Sequence, residues 1–171
     1  VALGVPVAAD NCGVASVVNN APAAFPIGVT TITWTVTDNS GNSAICDQTV
    51  TVVDNVLPTI SCPANVNNFT NSGCTATGVA LGVPVTADNC GVASVMNNAP
   101  AAFPIGVSTV VWTVTDNSGN SATCAQSVTV VDNVLPTISC PANISTFTNS
   151  GCTATGVALG VPVTADNCGV A

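Results

Sequence analysis

A period of two runs through Val110-Val111-Trp112-Thr113-Val114-Thr115. Val110, Trp112 and Val114 fall on one side, and Val111, Thr113 and Thr115 on the other. A period of two in β-branched and aromatic residues predicts a strand with one packed face and one wet face. Asp116-Asn117-Ser118-Gly119-Asn120 follows, with short polar side chains that bond their own backbone and a Gly free to take positive φ. Alternation then resumes through Val128 and Val130, so the segment predicts a β-hairpin anchored in its core by Trp112. The same pattern stands earlier as Ile32-Thr33-Trp34-Thr35-Val36-Thr37-Asp38-Asn39-Ser40-Gly41-Asn42, with Trp34 lying 78 residues before Trp112.

That spacing is the period of the chain. Residues 1–78 align on 79–156 without a gap, and a third copy starts at Val157. The copies differ at positions such as Ala8/Thr86, Val18/Met96, Thr33/Val111, Asp47/Ala125 and Asn68/Thr146, mostly between residues of similar polarity. Because both ends cut through a repeat, the 171 residues read as a window onto a longer protein. Asp54-Asn55-Val56-Leu57-Pro58 and its copy Asp132-Asn133-Val134-Leu135-Pro136 follow the hairpin's second strand, and an acidic turn residue with a Pro suits a boundary. The expected domains are therefore the C-terminal part of one (1–54), a complete one (55–132) and the N-terminal part of a third (133–171).

In the complete domain, Thr59–Cys62 reads as an opening strand and 67–73 as a loop. Cys74–Leu81 reads as a second strand extended through Val85, and Val92–Met96 as a third, before Phe103-Pro104-Ile105-Gly106 leads into the Trp112 hairpin. Short strands, frequent turn signals and no helical periodicity predict an all-β sandwich.

Composition narrows the chemistry. There is no Lys, Arg, His, Glu or Tyr, all eight acidic residues are Asp, and the formal net charge is −8. Most residues used for proton transfer are missing, a Ser or Cys nucleophile has no His or Lys base, and the sequence reads as a non-enzyme. Phosphate recognition lacks its cationic donors, so nucleic acid is not an expected partner. No apolar run is long enough for a membrane span, so insertion of this segment is not expected either.

Nine Cys fall four to a repeat, and those of the complete domain are Cys62, Cys74, Cys90 and Cys124. Such a density reads as an oxidised framework and an extracellular compartment. Four Cys allow three pairings, and spacing does not choose among them. Cys62–Cys124 would tie the opening strand to the closing one, leaving Cys74–Cys90 and its copy Cys152–Cys168. A rival set, Cys46–Cys62 and Cys124–Cys140, would cross the domain boundary.

Pro-Thr-Ile-Ser-Cys-Pro-Ala-Asn (58–65), Ala-Asp-Asn-Cys-Gly-Val (87–92), Phe-Pro-Ile-Gly (103–106) and Trp-Thr-Val-Thr-Asp-Asn-Ser-Gly-Asn-Ser-Ala-Thr-Cys (112–124) together resemble the hyalin repeat, or HYR, domain. The resemblance covers the whole chain. It implies tandem immunoglobulin-like β-sandwiches used in extracellular adhesion, with no catalytic site to carry over. The four-Cys form is similar to repeats of giant secreted adhesins of Bacteroidota, including gliding-motility adhesins of the SprB kind. By that analogy the Cys of Cys-Pro pairs with that of the last strand, Cys62 with Cys124, and Cys74 pairs with Cys90.

The Asp residues carry the only charge. In a sandwich of this topology the entering linker and two of the loops gather at one pole, bringing Asp54, Asn55, Asp88, Asn89, Asp116 and Asn117 to a domain junction. Their hard oxygen ligands suit Ca²⁺, although no cofactor is required by the composition. The plainer reading is that each Asp-Asn pair closes an Asx-turn. Asn68-Phe69-Thr70 and Asn143-Ile144-Ser145 match the glycosylation sequon at non-equivalent repeat positions, which marks them as coincidence.

The expected function is a structural stalk or filament segment of a long surface adhesin, with neighbouring repeats as its partners. Two other roles fit the repeats: a multivalent module that grips glycan or protein directly, and a fibre that self-assembles through strand edges.

Overall fold

The computed structural model describes residues 1–170, which are all-β: no helix occurs among them. They fall into two units, Val1–Val56 and a second beginning at Leu57. The first unit holds β1 (Val14–Asn19), β2 (Gly28–Asp38) and β3 (Ser43–Val52) in one antiparallel sheet of order β1-β2-β3. Trp34 sits opposite Cys46 in its hairpin, and Ile32 is fully buried.

The second unit contains β4 (Thr59–Ser61), β5 (Val66–Phe69), β6 (Thr75–Thr77), β7 (Val85–Ala87), β8 (Val92–Asn97), β9 (Ala102–Pro104), β10 (Gly106–Asp116), β11 (Ser121–Val131), β12 (Thr137–Ser139) and β13 (Val163–Ala165). One layer is the sheet β5-β11-β10-β8, and the other is formed by the antiparallel pairs β4·β7 and β6·β9. Between them Ala76, Phe103, Val110, Trp112, Val128 and Val130 form the core, with Ile60, Val66, Leu81 and Cys124 packed on its rim. This is the expected immunoglobulin-like sandwich. The buried residues of β10 and β11 are the alternating set of the pattern, and β12·β13 repeats the pairing of β4·β7 in the next copy.

Two elements differ from the expectation. Part of the segment read as a loop, 67–73, lies in β5, which pairs in parallel with β11 from Val66↔Val128 to Phe69↔Val131. Its Val-Asn-Asn-Phe has little apolar alternation, and backbone pairing with β11 holds it as a strand. The long second strand is instead two short ones, β6 and β7, interrupted where Gly78 and Gly82 take positive φ.

Gln126 is the residue that the sequence pattern did not single out. It is fully buried on β11; its Oε1 accepts the Trp112 indole N–H at 3.0 Å. Its Nε2 donates to the carbonyls of Ala64 (2.7 Å) and Leu81 (2.8 Å). The amide thus ties the β4–β5 and β6–β7 connections to the central aromatic ring, and its only sequence signal is a second copy, Gln48, which accepts from Trp34 at 2.9 Å.

Candidate functional site

Where the complete sandwich of the second unit passes into the next copy, three short segments meet, 70–74, 131–134 and 166–168. Asp132 stands one residue beyond β11, and its Oδ1 accepts the Val134 N–H at 3.1 Å and the Thr70 hydroxyl at 3.1 Å. Thr70 is held there because its N–H donates to Val131 O at 3.1 Å, continuing the β5·β11 ladder. Asp166 follows β13, and its Oδ2 accepts the Cys168 N–H at 2.8 Å, an Asx-turn of the expected kind.

That turn presents Asn167 to the preceding sandwich. Its Nδ2 donates to Asp132 Oδ1 (3.2 Å), Gly73 O (3.1 Å) and Thr70 Oγ1 (3.3 Å). Its own carbonyl accepts from the Cys74 thiol at 3.5 Å. Asn167 is therefore a clasp between consecutive copies, built from residues on both sides of the junction. Its equivalent one repeat earlier, Asn89, was expected as a cation ligand, and the clasping role was not visible because the partners lie far away in sequence.

The electrostatics of this junction are one-sided. Carboxylate oxygens of Asp132 and Asp166 and the Cys168 sulfur lie within 4.8 Å of one another. The Val134 N–H, followed by bonds from Asn167, Cys168 and Thr70, holds the Asp132 carboxyl below its ordinary pKa against the opposing effect of burial. Burial pushes the Cys168 thiol up to about 12, assisted by hydrogen bonds to Cys74 and Asp132 and by their charge. Asp166 Oδ1 and Asn167 Oδ1 are buried with no hydrogen-bond partner.

At the opposite pole of the same sandwich, Asp88 and Asp116 bring carboxylate oxygens within 4.8 Å. Asp116, 2% exposed, closes the hairpin: Oδ1 accepts from the N–H groups of Ser118 (2.9 Å) and Asn120 (2.8 Å), and Oδ2 from the Asn120 amide (2.8 Å). Asp88 Oδ2 accepts the Cys90 N–H at 2.7 Å, while Oδ1 is buried without a partner. Asn117 donates its amide to Cys90 O at 2.9 Å, and the Asn89 amide donates to the Cys90 sulfur at 3.0 Å. Asp54 and Asn55 belong to the first unit, where Asp54 Oδ1 accepts the Val56 N–H at 3.1 Å. The two readings of the Asp residues are thus compatible. Each Asx-turn at Asp88 and Asp166 uses one carboxylate oxygen and leaves the other.

Cys62 and Cys124 are joined by a disulfide with Cα atoms 5.7 Å apart, which removes Cys62 and Cys124 from the rival set with Cys46 and Cys140. The expected Cys74–Cys90 and Cys152–Cys168 pairings are not formed: Cys74 and Cys152 carry free thiols. The reason is geometric. Cys74 lies in the loop bonded to the Val131 end of β11, whereas Cys90 is at the Asp116–Asn120 turn where β11 begins. An eleven-residue strand separates those poles by roughly 30 Å. A disulfide needs Cα atoms within about 7 Å. Cys74 instead shares a hydrogen bond with the free thiol of Cys168.

Residues 1–52 and 53–130 each match the family model of the HYR domain. The chain is 35% identical to hyalin of Strongylocentrotus purpuratus and 33% identical to hyalin of Lytechinus variegatus, in each case over 97% of its own length. It spans only 15% and 33% of those two proteins. It is also 35% identical, over 70% of its length, to the sushi, von Willebrand factor type A, EGF and pentraxin domain-containing protein 1 of Rattus norvegicus, of which it spans 4%.

Proposed function

We propose, from the premise that the chain belongs to the HYR domain family, that it is a non-catalytic structural segment of a long extracellular adhesin. Its repeats hold a tip or a partner away from a cell surface, as in the gliding-motility adhesins of Bacteroidota. The observation that carries this reading is the Asn167 clasp. A side chain of one copy donates to Thr70, Gly73 and Asp132 of the preceding copy, across a linker that itself contains Asp132. Such a joint favours length with limited bending over independent domains on a slack tether.

Similarity to two hyalins and to a protein named for a string of different domains supports a role as one module among many. The disulfide supports an oxidising, extracellular setting. No helix among the described residues is long and apolar enough to cross a membrane. The lack of His, Lys, Glu and Arg supports a non-enzymatic role.

Calcium belongs to the same reading. Paired carboxylates with no basic side chain to neutralise them, and buried oxygens with no donor, form a hard-oxygen set at each pole of the sandwich. Ca²⁺ there would neutralise Asp132 and Asp166 at one pole, and Asp88 and Asp116 at the other. Small-angle scattering of an oxidised array of several copies, in calcium and then in chelator, tests both parts. The stalk reading expects the longest dimension to grow in proportion to copy number, and a compact particle overturns it. The calcium reading expects that dimension to shorten in chelator; an unchanged profile assigns the Asp residues to turns alone.

A further inference from the structure

We propose that Cys74 and Cys168 form a disulfide that joins each repeat covalently to the next. Four Cys recur in every copy, and the Cys62–Cys124 bond uses two of them. The other two positions, those of Cys74 and Cys90, lie at opposite poles of one sandwich, about a strand's length apart. In a periodic array the partner of a Cys at one pole therefore comes from the adjoining copy. The junction supplies it: the thiols of Cys74 and Cys168 hydrogen-bond to each other, and Cys74 also donates to the carbonyl of Asn167, the residue before its partner.

The clasp sets this approach before any covalent chemistry. Asn167 donates to Thr70 and Gly73, on the N-terminal side of Cys74, and its own chain neighbour is Cys168. An added Cβ on Gly73 would stand 3.9 Å from Asn167 O, so the two backbones already meet at van der Waals distance. Both sulfurs are partly shielded, whereas Cys140 and Cys152 are exposed.

The oxidant is a disulfide-carrying thiol oxidant, such as glutathione disulfide. One protein thiolate attacks a sulfur of the oxidant, releasing one glutathione thiolate and leaving a mixed disulfide. The second protein thiolate displaces the other glutathione. Two protons and two electrons leave the protein, one S–S bond forms within it, and one S–S bond of the oxidant is reduced to two thiols. The inference concerns how one copy holds the next, and it stands whether the array serves as a stalk or as a binding surface.

Peptide mapping of the 171-residue chain reads the connectivity directly. The chain is oxidised at high dilution with glutathione disulfide, its remaining thiols are alkylated, and it is cut before each Asp without reduction. The expected product joins 54–87 to both 116–131 and 166–171. A product joining 54–87 to 88–115, or 166–171 to 132–165, overturns the proposal, as does 166–171 recovered only in alkylated form. Cys168→Ser adds a control independent of folding yield: Cys74 should become fully alkylated while 54–87 stays joined to 116–131. Cys90→Ser should leave the Cys74 linkage unchanged, and its loss in that variant would overturn the proposal equally.

Discussion

Gln126 shows how much one buried amide can organise. Its three hydrogen bonds reach the Trp112 ring and the backbones at Ala64 and Leu81, and no water is needed to complete them. Gln126→Leu keeps much of the volume but leaves an indole N–H and two carbonyls unanswered. A loss of about 3 kcal/mol is expected, at roughly 1–3 kcal/mol per unsatisfied buried group with partial relaxation. The midpoint of urea unfolding checks it, and a change below about 1 kcal/mol would mean the carbonyls find other donors.

Asp132 makes a different prediction, one of pH. Its folded pKa is lowered, so its stabilisation is complete above the unfolded carboxylate range and is lost as pH falls through the folded value. Acid should therefore loosen the junction below about pH 4, and Asp132→Asn should flatten that part of a stability–pH curve. The dual nature of these Asp residues was legible in the sequence, but its resolution was not. A carboxylate has two oxygens, and it is the fold that has Asp88 and Asp166 use one in the turn and bury the other.

Among the elements, the hairpin was the most readable because its alternation and its turn chemistry agree. β10 and β11 pair from Gly106↔Val130 to Thr115↔Ser121 with Trp112 opposite Cys124. Glycines at its end separate two kinds of constraint. Gly119, in the Asp116 turn, has φ of +93° and open space where a side chain would project. Gly91, in the adjoining loop, has φ of +95° and would bring a Cβ to 2.7 Å from the Asn117 amide nitrogen. Gly119→Ala should therefore cost about 1 kcal/mol from backbone strain alone, and Gly91→Ala about 2 kcal/mol or more. Thermal or urea unfolding of the two variants decides the order, and equal losses would show that Asn117 rotates away freely.

β5 was unreadable for the opposite reason. Its Asn-Asn centre has no apolar face, and its parallel partner β11 lies some sixty residues later, where no local pattern points. The break between β6 and β7 had a local sign in Gly78, Gly82 and Pro84, but apolar residues on both sides suggested one continuous strand.

At the scale of the molecule, the sandwich and its repetition followed from the period of 78, but the cysteine connectivity did not. Treating each copy as self-contained places both disulfides inside it. The fold permits one inside and turns the other two Cys outwards to the junctions. The internal bond closes a span of 62 residues, so Cys124→Ser should cost about 4 kcal/mol in the chain-entropy model. Calorimetry of the oxidised variant against the oxidised parent measures it.

Parallel pairing of β5 with β11 also decides how a copy answers tension. Drawn from its two ends, the copy loads those hydrogen bonds along the strands, in shear, so they must fail together instead of unzipping in turn. Behind them, Cys62–Cys124 carries load past everything between those residues. Only the sixteen-residue step from Cys124 to Cys140 can then pay out, at most about 55 Å of chain instead of the roughly 270 Å held in a whole repeat. Such a copy is a short leash, and reduction would lengthen it about fivefold.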